Sequence, residues 1–405
     1  MNPLPVVLAD LRQSRGGALA IVALIGVAVA LGVAVTAEER ALRAGTARAA
    51  DDFDLLVGAR GSPIQFVLAS VYLEPAPLDL VSGQVLGRLQ DEAGTVFVAP
   101  LVFGDSHRGF PIVGSTSDFV TRGGARRLAE GRVFATAHEV VVGADVPVQV
   151  GASFVSTHGR PRDQREAEGA HVHEGFSYVA VGRLPRLGSA WDRAIVAPVE
   201  SLWRLHSRPS GHREGSERLG PPWEGDQIAG ASAIVVKPQS VADAYRLRAR
   251  YRGAETMAVF PAEVLIDMYA MLGDARDLLW LIALVTQALV VAAVLLAVFA
   301  SLSQRRRQLG VLRALGAARR YVFLAVWLHV SLLVALGAGG GLLMGWAGAT
   351  VLSTALHART GISLPVAISW PEIALVATLA AVGAFLAAIP SWLSYRQPVS
   401  SLLRG

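Results

Sequence analysis

Two residue types that carry much of protein chemistry are nearly missing from this chain of 405 residues, which has no cysteine and a single lysine, Lys237. Without cysteine the chain forms no disulfide, no thiolate metal site and no thiol nucleophile. A phosphate-binding loop of the form G-x-x-x-x-G-K-[ST] needs a lysine after glycine, whereas Lys237 lies between valine and proline. The sequence therefore excludes ATP hydrolysis through such a loop, and it contains no G-x-S-x-G motif of a serine nucleophile.

Acidic residues are absent from one long part of the chain, between Asp277 and Glu372, where apolar runs take their place. Residues 278–302 form a run of 25 residues without charge, which is longer than the roughly 20 residues that a helix needs to cross the hydrocarbon core. Similar runs occupy residues 16–36, 321–352 and 373–393. Together with 53% hydrophobic residues, these runs predict an α-helical membrane protein with four transmembrane helices.

The first apolar run has a second interpretation, as a cleaved signal peptide. Its 21 uncharged residues exceed the roughly 7 to 15 residues of a signal-peptide core, so we interpret residues 16–36 as a retained span. Residues 1–15 come before it and place Leu4, Val7 and Leu8 on one helical face. That pattern predicts an interfacial amphipathic helix lying on the membrane surface.

Six arginines follow the second apolar run within sixteen positions, and they set the predicted orientation of the chain. They are Arg305, Arg306, Arg307, Arg313, Arg319 and Arg320. Short loops rich in arginine face the cytoplasm, so residues 303–320 are predicted to be cytoplasmic and residues 37–274 to lie on the outer face. By the same alternation, residues 353–370 form a short external loop and residues 394–405 a cytoplasmic tail.

Leucines recur at helical spacing between these arginines. Leu309, Leu312 and Leu315 form an apolar stripe, and Gly316 is a natural end for a helix. The loop is therefore predicted to be a short helix at the inner face of the membrane. The alternative is an arginine anchor that only sets the orientation.

Residues 37–274 differ from the apolar runs, because they are rich in glycine, proline, charged residues and short β-rich segments. Strands are predicted at residues 54–58, 96–103, 139–142, 154–157, 178–181, 194–198 and 233–237. Helices are predicted at residues 62–72, 241–251 and 262–270. We therefore expect a large mixed α/β extracytoplasmic domain between transmembrane helices 1 and 2.

The cytoplasmic segment reads RRRQLGVLRALGAARRYVF and resembles the coupling segment of the FtsX-like permeases of ABC transporters. That family includes macrolide-exporter (MacB-type), lipoprotein-releasing and cell-division permeases. The resemblance implies that this segment docks into a groove of a cytoplasmic ATPase. The residues expected to couple to the ATPase are Arg305, Arg306, Arg307, Leu309, Leu312, Arg313, Ala314, Leu315, Gly316 and Ala317.

The resemblance continues in the outer domain. The chain contains GRVFATAHEVVVGADVPVQVGASF, which resembles the extracytoplasmic core of the family, and then YVAVGRL and WDRAIVAPVESLW, which resemble its later strands. The resemblance implies two lobes, one near the membrane at about residues 50–104 and 226–272, and one inserted between them at about residues 105–225.

A permease of this kind has no ATPase activity of its own. The resemblance implies that ATP and Mg²⁺ are bound by a partner ATPase, and that a second permease copy completes a homodimer or heterodimer. It also implies a multi-pass protein of the bacterial inner membrane, in contact with lipids, whose large domain lies in the periplasm and transmits movement to a substrate or a periplasmic protein there. A basic chain with a pI near 9.9 could also bind nucleic acid, but no nucleic-acid motif accompanies its arginines.

Two further patterns suggest specific sites. Gly337, Gly341 and Gly345 recur at every fourth position of the third span, which favours close approach of another helix, although glycine is also tolerated in membrane helices without such a role. Seven of the nine histidines fall at residues 105–225. His171 and His173 are spaced to point to one side of a strand, and with His158 they suggest a zinc site.

The histidines leave alternatives open. They can belong to a solvated loop without a function, or to a metal-linked ABC system that imports or senses zinc. A third alternative is a membrane scaffold that regulates a periplasmic partner such as a hydrolase. Residues 105–225 would then bind that partner.

Overall fold

The computed structural model describes residues 3–159, 172–213, 215–224, 228–271, 281, 284–285, 288, 292, 316–389 and 391–392. The chain divides into two compact units. We call the first the helical unit, which comprises Met1–Arg43, Gly273–Ala355 and Leu364–Gly405. We call the second the α/β unit, which comprises Ala44–Leu272 and Leu356–Ser363.

The helices and strands of the described residues are numbered in chain order. The helices are α1 (Leu4–Gln13), α2 (Arg15–Ala50), α3 (Pro63–Val71), α4 (Gly83–Gln90), α5 (Ser117–Thr121), α6 (Val199–Leu205), α7 (Val241–Tyr251), α8 (Pro261–Met271), α9 (Arg319–Thr360) and α10 (Trp370–Leu386). The strands are β1 (Leu55–Ala59), β2 (Thr95–His107), β3 (Phe110–Ser115), β4 (Glu130–Gly131), β5 (Glu139–Val142), β6 (Ser153–His158), β7 (Val172–Arg183), β8 (Ile195–Pro198), β9 (Ala233–Pro238) and β10 (Thr256–Val259).

Two of the described helices are long and apolar enough to cross a membrane, namely α2 with 36 residues and α9 with 42. α10 is apolar but has only 17 residues. The predicted second span at residues 278–302 lies largely outside the described residues. The prediction of four spans therefore stays a prediction.

α9 is longer than the sequence pattern suggested, because it continues through residues that were predicted to begin the external loop at 353–370. The residues at 353–360 keep helical geometry, and the helix ends at Thr360. Gly361 follows with a φ of +76°, a backbone region that glycine adopts without strain and that commonly terminates helices.

The α/β unit is built on one ten-stranded sheet, as counted in the described residues, and this confirms the expectation of a mixed α/β domain. The strand order is β10-β1-β9-β2-β3-β8-β5-β7-β4, with β6 paired to both β2 and β7. Most pairs are antiparallel, whereas β3 with β8 and β5 with β7 are parallel. Helices cover the sheet on both faces, so its central strands are buried on both sides.

Burial on both faces explains why these strands read as continuous apolar runs. Along β5, Val140 and Val142 belong to one hydrophobic cluster and Val141 to the other. Because neighbouring side chains of a strand point to opposite faces, a strand with a core on each side has no polar positions. The sequence EVVVG therefore predicted a strand, and β5 spans Glu139–Val142.

β2 runs across the boundary that the family resemblance implied between two lobes. Its first part, from Thr95 to Leu101, pairs with β9, whereas its second part, from Val102 to His107, pairs with β3. The lobe boundary expected at residues 104 and 105 thus falls inside one strand. The two parts share a continuous sheet.

The segment WDRAIVAPVESLW contains one strand and then a helix. The strand predicted at residues 194–198 is confirmed as β8 (Ile195–Pro198), and α6 begins at Val199. Proline has no N–H to donate to a sheet ladder and is tolerated at the start of a helix, so Pro198 ends the strand and begins the helix. α6 then buries Leu202 and Trp203.

An ion pair holds the beginning of β5 in the segment GRVFATAHEVVVG. The Arg132 guanidinium donates two hydrogen bonds to the Glu139 carboxylate, one of them at 2.8 Å. The backbone N–H groups of Ala135 and Thr136 donate to Oε2 of the same carboxylate at 2.7 and 3.3 Å. The hydrogen bond from Arg132, helped by these backbone donors, lowers the pKa of Glu139 to about 2.

We expect Glu139→Gln to destabilise the protein in a pH-dependent way. The folded state lowers the pKa of this carboxyl, so its contribution is complete above the unfolded value near 4.5 and is lost as the pH falls towards 2. Arg132 is 56% exposed, which screens the pair, so we expect a loss of about 1–2 kcal/mol at pH 7. Thermal unfolding of the full chain in detergent at pH 7 and pH 3 measures it.

Glu130→Gln is the control, because Glu130 is 62% exposed and lies 3.9 Å from Arg183. It should change the melting temperature little at either pH. Equal destabilisation by Glu139→Gln at pH 7 and pH 3 would contradict the role assigned to the ion pair between Arg132 and the charged Glu139 carboxylate.

Candidate functional site

The segment predicted to couple to an ATPase lies mostly outside the described residues. This holds for Arg305, Arg306, Arg307, Leu309, Leu312, Arg313, Ala314 and Leu315, whose roles stay predictions. Gly316 and Ala317 are described and lie directly before α9. Gly316 has a φ of +98°, a backbone region that glycine adopts without strain.

The glycines predicted to promote helix contact lie on the side of α9 that faces α2. A Cβ on Gly337 would lie 2.7 Å from the Cβ of Ile25, and one on Gly345 would lie 2.6 Å from the carbonyl oxygen of Ala30. A Cβ on Gly341 would meet both the carbonyl oxygen of Gly26 and the Cβ of Val29 at 2.6 Å. Only glycine therefore permits the two helix backbones to approach this closely.

A buried carboxylate links the end of the first long helix to the beginning of α10. The side chain of Glu372 is 1% exposed and forms an ion pair with Arg40 of α2. The backbone N–H of Ser369 donates to this carboxylate at 2.9 Å as part of a capping box, and the Ser369 hydroxyl also donates to it at 2.8 Å. The ion pair therefore connects α2 to the first turn of α10, and the capping box fixes the position of the Glu372 side chain.

We expect Gly341→Ala to destabilise the helical unit and Gly340→Ala to leave it unchanged. The added methyl group at position 341 would overlap backbone and side-chain atoms of α2, at a cost of about 1–3 kcal/mol. A Cβ at position 340 meets nothing within 4 Å. The measurement is the melting temperature of each full-length variant in detergent.

The two substitutions change the same residue type in the same helix, so they differ only in what the methyl group meets. Equal melting temperatures for both variants would show that α2 does not pack on this side of α9.

The histidine cluster of the α/β unit is different from the one that the sequence suggested. His158 is at the end of β6 and lies beside Asp105 of β2 and His206 after α6. One ligand atom from each of these residues lies within 4.8 Å of the other two. His171 lies outside the described residues, and only the backbone of His173 is described, in β7. The prediction for those two histidines remains open.

The carboxylate at the centre of this cluster is inaccessible to solvent. The Asp105 side chain is 0% exposed, and its Oδ1 lies 3.4 Å from His158 Nδ1 and 3.4 Å from His206 Nε2. Burial raises the pKa of Tyr178, and the negative charge of Asp105 raises it further. The cluster thus combines a buried anion with two imidazole rings whose centroids are 5.2 Å apart.

A cavity of about 510 Å³ adjoins the cluster, and Gly104, Asp105 and Gly159 are part of its wall. Apolar side chains such as Leu73, Leu78 and Phe103 line much of the rest. Gly104 also leaves room for the nearby imidazole, because a Cβ there would lie 3.3 Å from His206 Nε2. Asp105 is thus part of the cavity wall although its side chain is buried.

Sequence reasoning missed Asp105 and His206 because they are far apart in the chain and neither belongs to a motif. The pairing of β2 with β6 places Asp105 directly opposite His158. A prediction of that strand pairing would have been the only sequence-level signal for this contact. The approach of His206 depends on how α6 packs on the sheet, which local patterns do not reveal.

Comparison with known proteins concerns the C-terminal part of the chain. Residues 280–398 match the family model described as FtsX-like permease C-terminal. A search among curated proteins gave no match. The matched region contains the arginine-rich segment, α9 and α10. The C-terminal part of the chain is therefore similar to the C-terminal domain of the FtsX-like permeases, a family of membrane proteins, and the match supports the resemblance to ABC permeases of this family.

Proposed function

We propose that the chain is the transmembrane permease subunit of an ABC transport system in the bacterial inner membrane. A separate cytoplasmic ATPase hydrolyses ATP, and the permease converts that reaction into movement of its periplasmic α/β unit. The movement serves export or extraction of a substrate at the outer face. The observation that carries the proposal is the family match at residues 280–398, because it includes the predicted coupling segment at residues 305–317.

The helices of this chain suit mechanical transmission. α2 runs without a break from Arg15 to Ala50 and contributes residues to both units. A continuous helix keeps its hydrogen bonds as it moves, so a shift at one end reaches the other without being absorbed by a loop. The ten-stranded sheet of the α/β unit is likewise suited to move as one body.

The composition of the apolar runs also supports a mechanical role. Residues 16–36, 278–302, 321–352 and 373–393 contain no Asp, Glu, Lys or Arg. Proton relays and ion pathways through membranes usually rely on ionisable side chains within the spans. Two permease copies with two ATPase copies would instead transmit closure of the ATPase pair through their coupling segments.

We expect the double substitution Leu312→Asp and Leu315→Asp to abolish association with the ATPase. Two carboxylates on the apolar stripe would have to be buried without a partner in the docking groove, which is strongly unfavourable. The measurement is the amount of ABC ATPase that copurifies with the tagged permease from detergent-solubilised membranes, together with the ATPase activity of the eluate.

Two control variants make the result specific. Leu312→Met with Leu315→Met keeps the stripe apolar and should retain the ATPase. Ser400→Asp with Ser401→Asp adds the same charge to the predicted cytoplasmic tail and should also retain it. Copurification of the ATPase with the Leu312/Leu315 aspartate variant at the wild-type amount would contradict the proposed coupling site.

A further inference from the structure

The histidine cluster of the α/β unit has the composition and spacing of a metal site. We propose that Asp105, His158 and His206 bind a divalent first-row transition metal, with zinc as the reference ion. The site does not depend on the ATPase, because all three residues belong to the α/β unit. A result that disproves ATPase coupling would therefore not affect the proposed metal site. A result that disproves the metal site would likewise not affect the proposed coupling.

The distances at the shared carboxylate oxygen agree with tetrahedral coordination. A zinc ion with bonds of about 2.0–2.1 Å at tetrahedral angles holds neighbouring ligand atoms about 3.3–3.4 Å apart. Asp105 Oδ1 lies 3.4 Å from each histidine nitrogen. Hydrogen bonds from a ring N–H to an oxygen are shorter, at about 2.7–3.2 Å. Two of the three ligand-atom separations therefore match those around an ion, and all three atoms lie within 4.8 Å of one another.

The donor atoms select the class of metal. Two imidazole nitrogens and one carboxylate oxygen suit zinc and its neighbours in the first transition row, whereas calcium and magnesium prefer oxygen ligands alone. The chain has no cysteine to supply a softer donor. A set of two histidines and one carboxylate also occurs in zinc sites that retain an open fourth position.

The surroundings allow an ion to enter and to be stabilised. His158 is 56% exposed and His206 is 26% exposed, so the ligands are reachable from solvent. The carboxylate of Asp105 is fully buried beside them. Asp105 also forms part of the wall of a cavity of about 510 Å³.

An ion at this position would connect three elements that are distant in sequence. Asp105 lies on β2, His158 ends β6 and His206 follows α6. A bound metal would therefore link the second part of β2 to a neighbouring strand and to a helix. Binding to the folded state alone also raises its stability, so zinc should increase the melting temperature.

The test is a zinc titration of the full-length chain in detergent, with the affinity tag removed and the protein stripped of metal by EDTA before dialysis. Competition with a chromophoric chelator gives affinity and stoichiometry. We expect one zinc per chain at this site. The double variant His158→Ala, His206→Ala should bind zinc with an affinity at least about 100-fold lower, because loss of a residue that only supports a metal ligand already lowers metal affinity about 10–100-fold.

Matched variants define the outcome. His107→Ala with His138→Ala removes two histidines of the same unit that contact backbone oxygens of Val155 and Ser177, and it should leave zinc affinity unchanged. Asp105→Asn should weaken zinc binding, but this substitution is at a buried position and could also affect folding. His158 is exposed, so weaker zinc binding by the single variant His158→Ala would not be explained by a folding defect. Circular dichroism verifies the fold of each variant.

His171→Ala with His173→Ala separates this site from the one suggested by the sequence. Retained zinc binding in that variant, together with lost binding in the His158/His206 variant, supports the proposal. Equal zinc affinity in the wild type and the His158/His206 variant overturns it, whatever the His171/His173 variant does. A zinc-dependent rise in melting temperature that persists in the His158/His206 variant overturns it as well.

Discussion

Close contact between the backbones of α2 and α9 is the interaction on which the helical unit depends. A leucine side chain in a membrane is as favourably placed against lipid tails as against another helix. Apolar helices therefore associate through close backbone contacts that lipid cannot provide. Gly341 and its neighbours one turn away supply such contacts against Gly26, Val29 and Val33. The same close fit prevents the helices from separating easily. Under the proposed function, a shift of one of these helices would carry the other helix with it.

The α/β unit follows a different constraint, because its sheet is covered on both faces. β2 runs through the centre of the sheet and pairs with β9 along one part and with β3 along the next. A strand shared in this way does not allow the two parts of the domain to turn independently. The buried Asp105 lies on the second part of this strand. The proposed metal site therefore lies on a strand that pairs with several neighbours.

Local patterns revealed the architecture better than the sites. Uncharged runs identified the long helices, and runs such as the valines of β5 identified buried strands, because both signals depend only on neighbouring residues. The strand predicted at residues 194–198 ends at Pro198 as expected, whereas the helix α6 directly after it was not predicted. The pair His171 and His173 stood out because it is adjacent in sequence. Asp105 and His206 are 101 positions apart and meet only through strand pairing and helix packing.

The central claim is that the arginine-rich loop and the α/β unit lie on opposite sides of the membrane. The absence of cysteine permits a direct test with single-cysteine variants and a membrane-impermeant maleimide. Ala242 is exposed on α7, and Gln304 lies beside the arginines. In intact spheroplasts, Ala242→Cys should be labelled and Gln304→Cys should be labelled only after lysis. Labelling of both variants before lysis, or of neither, would contradict the account.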